Sequence, residues 1–195
     1  MTVLLELYIS LMPVIIAGIL NMVWVKTPYL GVINRPIDNH KYFFDGKRIF
    51  GDNKTWKGFF GMIVLGIGST WIWGLLCYLI PFLNAHNYLY RSYDNSISYN
   101  LLIGFLLGLS YVLLELPNSF IKRRFDISPG KSGKGIKSIF IFLDQADSLF
   151  GCVLVIAMVY RMSFPFYLLY VFIGALTHII INMLLYVGKL RRNMF

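Results

Sequence analysis

The sequence predicts an all-α integral membrane protein with five transmembrane helices, the N-terminus outside and the C-terminus cytoplasmic. Three observations carry that prediction. The 195 residues are 57% hydrophobic and only 14% charged, with a mean hydropathy of +0.66, which excludes an ordinary soluble domain. Five apolar stretches are long enough, or nearly so, to cross about 30 Å of hydrocarbon at about 1.5 Å per residue. Basic residues, finally, are shared very unequally between the connections on the two sides.

The first span is expected near 3–25. It lacks a basic leader and is long enough to cross, so a cleavable signal peptide is not expected. The second is expected near 58–83. The connection after it, residues 84–98 (NAHNYLYRSYDNSIS), is polar and Tyr-rich and reads as an interfacial belt, with His86 a solvated loop residue. The third span is expected near 99–116. Its Gly104 and Gly108 stand at GxxxG spacing and, with the glycines of the second span, predict close helix packing. Pro117 is expected to kink or end that helix, leaving irregular chain that lines a cavity. The fourth span is expected near 139–160 and the fifth near 164–188. In the fifth, His178 and Asn182 are four apart, share a face, and read as interhelical hydrogen-bonding groups. Cys77 and Cys152 lie inside apolar spans and read as buried thiols rather than a disulfide or metal pair. No repeat divides the chain, so residues 1–195 read as a single domain.

Orientation follows from the Lys and Arg count. Sixteen of the 18 fall in the first connection, the third connection and the C-terminal tail, against Arg91 and Arg161 alone on the other side. Positive-inside asymmetry of this size puts the N-terminus outside. The net charge of +9 is thereby accounted for by topology, and no nucleic-acid partner is implied.

Polar residues that topology leaves unexplained gather on the basic side. Asp144 and Asp147 are three apart, so a helix puts both on one face, and apolar runs on either side place them at or just inside the membrane surface. An ionisable residue there costs roughly 2.5–3.5 kcal/mol on insertion scales, which marks it as a functional-site candidate. Glu115 is the only acidic residue deep in the third span. Two segments on the same side look suited to anions. In Gly51–Gly58, terminal glycines free the backbone, Lys54, Thr55 and Lys57 offer donors, and a helix N-terminus follows. In Asn118–Arg124, Ser119 and Asn118 precede Lys122, Arg123 and Arg124, and Arg forks bind phosphate bidentately. A divalent cation on two carboxylates usually completes its shell with water and substrate phosphates. The pattern therefore reads as a metal site handling phosphates, with the cytoplasmic loops forming an active site.

Three blocks in order resemble the CDP-archaeol synthases, relatives of the bacterial and eukaryotic CDP-diacylglycerol synthases: GDNKTWKG (51–58), PNSFIKRR (117–124) and LDQADS (143–148). The chain departs from that pattern at Lys57, where an arginine is usual. It also has Phe125-Asp126 and a Gly/Lys-rich run where the longer synthases carry a Lys-Asp pair and a Pro-Gly-His-Gly-Gly run. The resemblance implies transfer of a cytidylyl group from CTP to a membrane lipid phosphate, giving a CDP-lipid and pyrophosphate, with Mg²⁺. It implies that Asp144 and Asp147 hold the metal, with Asp126 as a further candidate ligand; Glu115 is a candidate by its place deep in the third span. Lys122 and Arg123 would act on the reacting phosphates. Lys54, Thr55, Lys57, Asn118, Ser119 and Arg124 would bind the rest of the nucleotide and lipid phosphates. Two rivals fit less well: a CDP-alcohol phosphotransferase, whose longer aspartate signature does not occur, and a small membrane transporter, for which inverted halves are lacking.

Overall fold

A computed structural model describes residues 2–128 and 137–189. Gly130, Lys131, Gly133, Lys134, Gly135, Arg191 and Arg192, and the side chain of Lys137, lie outside the described residues. The helices are α1 (Thr2–Lys26), α2 (Trp56–Leu79), the short α3 (Pro81–Ala85), α4 (Ile97–Arg124), α5 (Lys137–Tyr160) and α6 (Phe164–Val187), with 3₁₀ turns at Gly31–Ile33 and Tyr88–Tyr90. Among the described residues, five helices are long and apolar enough to cross a membrane: α1, α2, α4, α5 over Ile139–Tyr160, and α6. The protein is thus an all-helical, multi-pass membrane protein.

Local chemistry explains where most of these helices start. Thr55 caps α2 by accepting the Gly58 amide at 3.2 Å, and Ser96 caps α4 by accepting the Tyr99 amide at 3.3 Å. α6 opens with a proline in its first turn, where no amide donor is needed.

Two boundaries differ from expectation. The second span stops at Leu79 instead of continuing to 83. Ile80 turns extended (φ −120°, ψ 93°) because the ring of Pro81 disfavours a helical residue before it, and α3 starts afresh. The third span does not end at Pro117: α4 runs through it to Arg124. A proline costs one helical hydrogen bond, and burial of Lys122 and Arg123, 7% and 9% exposed, holds the two turns beyond. The basic block is a helix end, not a loop.

The glycine spacing does what it predicts. A Cβ on Gly104 would stand 2.7 Å from the Gly66 carbonyl oxygen, and one on Gly108 would stand 2.7 Å from the Cα of Ile63. α2 and α4 therefore touch backbone to backbone. Cys77 and Cys152 are free and buried, as expected.

The connection between α3 and α4 is not a surface belt. Asn87, Tyr88 and Leu89 are 0%, 2% and 0% exposed and belong to the core. Their backbone is satisfied inside: Tyr88 N–H donates to Ser10 Oγ at 2.8 Å, and the Tyr99 hydroxyl donates to the Leu89 carbonyl at 2.7 Å. His86 stays near the surface, its Nδ1 2.9 Å from the Phe82 carbonyl.

α1 and α6 are linked near the end where both begin, by the Tyr170 hydroxyl on the Leu7 carbonyl (2.7 Å) and by Tyr8 with Thr177 (2.9 Å). Further along, an apolar cleft of about 60 Å³ lies between them, lined by Ile15, Gly18, Ile19, Ile181 and Leu185 among others.

Candidate active site

At the end of the bundle where α4 finishes, a cavity of about 730 Å³ opens among α1, α2, α4, α5, α6 and the segment 34–55. Helical phase decides who faces it. From α4 come Glu115, Asn118, Ser119, Lys122 and Arg123, which recur at the three- and four-residue spacing of one face. α5 supplies Asp144, Gln145 and Asp147; the segment before α2 supplies Asp52, Asn53, Lys54 and Thr55. The apolar cleft between α1 and α6 adjoins the cavity, since Tyr111, His178 and Asn182 line both.

The two aspartates meet α4 residue for residue. The Asn118 amide donates to Asp144 Oδ1 and to Asp147 Oδ2, both at 2.8 Å, so two carboxylate oxygens converge on one point. Lys122 Nζ sits 3.0 and 2.7 Å from the two oxygens of Asp144. The Asp147 Oδ1 accepts the Ser148 amide at 2.6 Å. Across the cavity Lys54 pairs with Glu115 at 2.5 Å. Burial pushes the Lys54 ammonium down, but Glu115, Asp147 and Asp144 together more than offset this and raise its pKa. Arg123 is nearly buried, and among the described residues its Nε has no hydrogen-bond partner.

Three residues that the sequence placed with these do not line the cavity. Lys57 is wholly buried and donates to the Thr27 carbonyl at 2.6 Å, with its ammonium 4.9 Å from the centre of the Trp24 ring. It satisfies the chain just beyond the C-terminus of α1, a favourable place for a cation. Arg124 donates to the Arg48 carbonyl at 2.6 Å and pairs with Asp45 at 2.7 Å. Asp126 pairs with Lys47 at 2.7 Å and its side chain is 78% exposed. Arg124 and Asp126 fasten the segment 34–55 to the end of α4. Thr55 lines the cavity while its hydroxyl caps α2.

Other contributors carried no sequence signal. Asp38, with its side chain fully buried, accepts from Arg48 at 2.8 and 3.1 Å and from the amides of Phe50 and Gly51 at 3.0 Å each. Burial raises its pKa, but the Arg48 bond and the backbone amides win and bring it down to about 2. Asp38 thereby sets the turn that delivers Asp52 to Thr55. Asn21 and Gln145 also line the cavity. The Asn182 amide bonds Gln145 Oε1, and His178 Nδ1 lies 3.2 Å from the Gln145 carbonyl. Both α6 residues make the interhelical contacts expected of them and face the cavity as well.

Among the described residues, no three His, Cys, Asp or Glu side chains are grouped to hold a metal ion. The Asp144/Asp147 pair is nonetheless a hard, oxygen-only donor set of the kind that Mg²⁺ shares with phosphate oxygens. With Lys54, Lys122 and Arg123 on the walls, the cavity suits a polyanion carrying a divalent cation.

Comparison with known proteins shows the family and the fold. The family model described as "CarS-like: CDP-archaeol synthase" matches residues 2–195. A curated CDP-archaeol synthase of Archaeoglobus fulgidus is 33% identical over 147 residues, 70% of this chain and 73% of that one. That of Thermococcus onnurineus is 33% identical over 113 residues (58% and 59%), and that of Pyrococcus furiosus 38% over 101 (52% of each). The chain thus spans little more than half the length of the latter two. A solved structure of an intramembrane enzyme for archaeal membrane lipid biosynthesis shares the fold. Its TM-score is 0.61 at 23% identity, and the match covers 92% of this chain and 94% of that one.

Proposed function

This chain belongs to the CDP-archaeol synthase family, and from that premise we propose that it transfers the cytidylyl group of CTP to a membrane lipid phosphate. The products are a CDP-lipid and pyrophosphate, used in phospholipid biosynthesis. The observation that carries this reading is the convergence of Asp144 and Asp147 on Asn118, beside Lys122, at the wall of an open cavity that adjoins an apolar cleft.

The chemistry asks little covalent work of the protein. A phosphate monoester has a second pKa near 6, so the lipid phosphate is largely dianionic at neutral pH and needs no general base. It needs relief from anion–anion repulsion and alignment on the α-phosphorus. Asp144 and Asp147 would hold Mg²⁺, which supplies charge neutralisation and a template for the two phosphates. Lys122 sits where that charge is required: its ammonium lies on Asp144 and is within the same cavity as the triphosphate would be. Lys54 and Arg123 balance the tripolyphosphate and the departing pyrophosphate. Ser119 and Asn118 offer neutral hydrogen bonds. The apolar cleft between α1 and α6 gives lipid chains a sideways path from the bilayer to the aspartates. The basic asymmetry supports a cavity facing the cytoplasm of the cell membrane, with the start of α1 outside.

Purified protein in liposomes, given labelled CTP, tests the reading. We expect labelled CDP-lipid with an ether-linked isoprenoid or an ester-linked acyl phosphate, and none in excess chelator. Failure to consume CTP with either lipid rejects the assignment, and full turnover in chelator rejects the metal.

A further inference from the structure

Segment 41–48 is a tight hairpin that the proposed chemistry leaves unused. The Phe43 amide donates to the Lys47 carbonyl at 2.8 Å, the Gly46 amide to the Phe43 carbonyl at 3.0 Å, and Tyr42 pairs with Arg48 in an antiparallel bridge. Gly46, at φ 73°, takes the left-handed conformation that closes the turn. At its tip Phe44 is 100% exposed, with Tyr42 at 66% and Phe43 at 43%. Rings this large are rarely displayed together without a surface to meet.

The hairpin is mounted rather than loose. Phe43 packs edge-on against Phe120 of α4 (centroids 5.2 Å apart), and the Arg124 guanidinium lies 4.3 Å from the Phe120 ring and 5.4 Å from that of Phe43. Asp45 pairs with Arg124, while Lys47 bonds both Asp126 and the Arg124 carbonyl.

Helical phase fixes which side of the bundle this is. Phe120 and Arg124 continue the stripe of Leu102 and Leu113, at intervals of whole turns. Leu102 and Leu113 are 56% and 44% exposed within the span, so this stripe faces lipid. Asn118 and Lys122, which face the cavity, lie on the far side of the helix from it, with Leu116 and Arg123 on the flank between the two. Phe120 is seven residues beyond Leu113, which sets the hairpin about 10 Å further along the axis. That is the depth at which the hydrocarbon gives way to headgroups, where aromatic rings and basic residues reside together. The exposed Lys41 adds a cation beside the rings.

We propose that the 41–48 hairpin is an interfacial membrane anchor whose Phe43 and Phe44 rings enter the headgroup–acyl boundary of the bilayer. Because the same segment leads through Asp38, Phe50 and Gly51 to Lys54, the anchor holds that wall of the cavity at a set height above the lipid. The inference rests on the spans and on exposure, and stands apart from the catalytic assignment.

The test places a nitroxide on Phe44→Cys, the native cysteines being buried, and on Asp94→Cys as an aqueous reference, in vesicles containing anionic lipid. Phe44 touches little beyond Phe43, so an unchanged melting temperature is expected for the first variant. We expect the label at position 44 to be severalfold more accessible to dissolved oxygen than to a polar nickel complex, relative to position 94. Equal accessibility of the two labels to nickel overturns the proposal. So does spin–spin broadening at position 44 that disappears on dilution with unlabelled protein, which assigns the rings to a second copy of the chain.

Discussion

At the end of the bundle where α1 begins, Glu6 accepts from Arg91 at 2.5 Å and from the Tyr88 hydroxyl at 2.9 Å, and Arg91 lies 4.9 Å from the centre of the Tyr88 ring. At the opposite end, Glu115 takes Lys54 at 2.5 Å, and Asp144 takes Lys122 at 2.7 Å. The residue types are alike, but their surroundings are not. Around Glu6 the chain folds back and Asn87 to Leu89 fill the space, so the Glu6 side chain is 12% exposed while Arg91 reaches over it from the surface. Around Glu115 four carboxylates and four cations share about 730 Å³ of open volume. A charge pair seated on packed chain serves the fold; charges facing a void keep capacity for a ligand.

The largest effect should come from Asp144→Asn or Asp147→Asn. The carboxamide keeps volume but loses the charge a hard cation needs, so CDP-lipid formation should fall by several kcal/mol of transition-state stabilisation, about 100-fold or more. Insertion should hold, because losing a charge at the membrane edge eases it. Melting temperature should hold for Asp147→Asn and fall modestly for Asp144→Asn, which leaves the Lys122 ammonium without its charged acceptor. Wild-type rates in either variant would put these aspartates in the same class as Glu6.

Next in size is Lys122→Gln. Loss of one charged hydrogen bond should raise the KM for CTP about 10- to 100-fold while the divalent requirement persists. It also removes the ammonium that competes for Asp144, so nucleotide-free Mn²⁺ binding, read by electron paramagnetic resonance, should tighten. Weaker Mn²⁺ binding would make Lys122 a structural partner instead.

Glu6→Gln should show the reverse profile. Arg91 and the Tyr88 hydroxyl lose a charged acceptor, at a cost of about 1–3 kcal/mol in stability. A lower melting temperature in detergent, with unchanged turnover per folded molecule, is the expected result. A change in KM for CTP would mean that the end of the bundle holding Glu6 communicates with the cavity.

The smallest effect is a pH dependence in the segment that carries Lys54. Asp38 has a pKa of about 2 when folded against an ordinary 3.8, so the unfolded chain binds the proton more readily. Its contribution is therefore fully present above 3.8 and is lost as pH falls through about 2. Hydrogen exchange at the Phe50 and Gly51 amides, corrected for intrinsic rates, should lose protection over that window. Asp38→Asn should show no such step.

Local properties were legible in the chain. Hydropathy over some twenty residues located five spans, because every backbone group in a bilayer must find its partner within the helix. Three-residue spacing put Asp144 and Asp147 on one face, and GxxxG spacing marked the α2–α4 seam. Where the sequence misled, the cause was competition between a local preference and distant contacts. Pro117 signals a helix end, yet the buried Lys122 and Arg123 carry α4 two turns past it. The Tyr-rich connection signals a surface, yet Ser10 and Tyr99 draw it into the core.

The sequence by itself determined that this is a multi-pass membrane protein with five long apolar helices, its basic residues gathered in the same connections and two carboxylates entering the fourth of those helices. Only the tertiary structure decided which of those basic residues face the carboxylates. Lys57 and Lys54 are one turn of chain apart, and Lys122 and Arg124 are two residues apart. No composition rule separates them. Lys54 and Lys122 point into the cavity, whereas Lys57 is claimed by the Thr27 carbonyl and Arg124 by Asp45 and the Arg48 carbonyl. A long cation binds whichever acceptor the folded chain brings within about 3 Å, and residues far apart in sequence supply that acceptor.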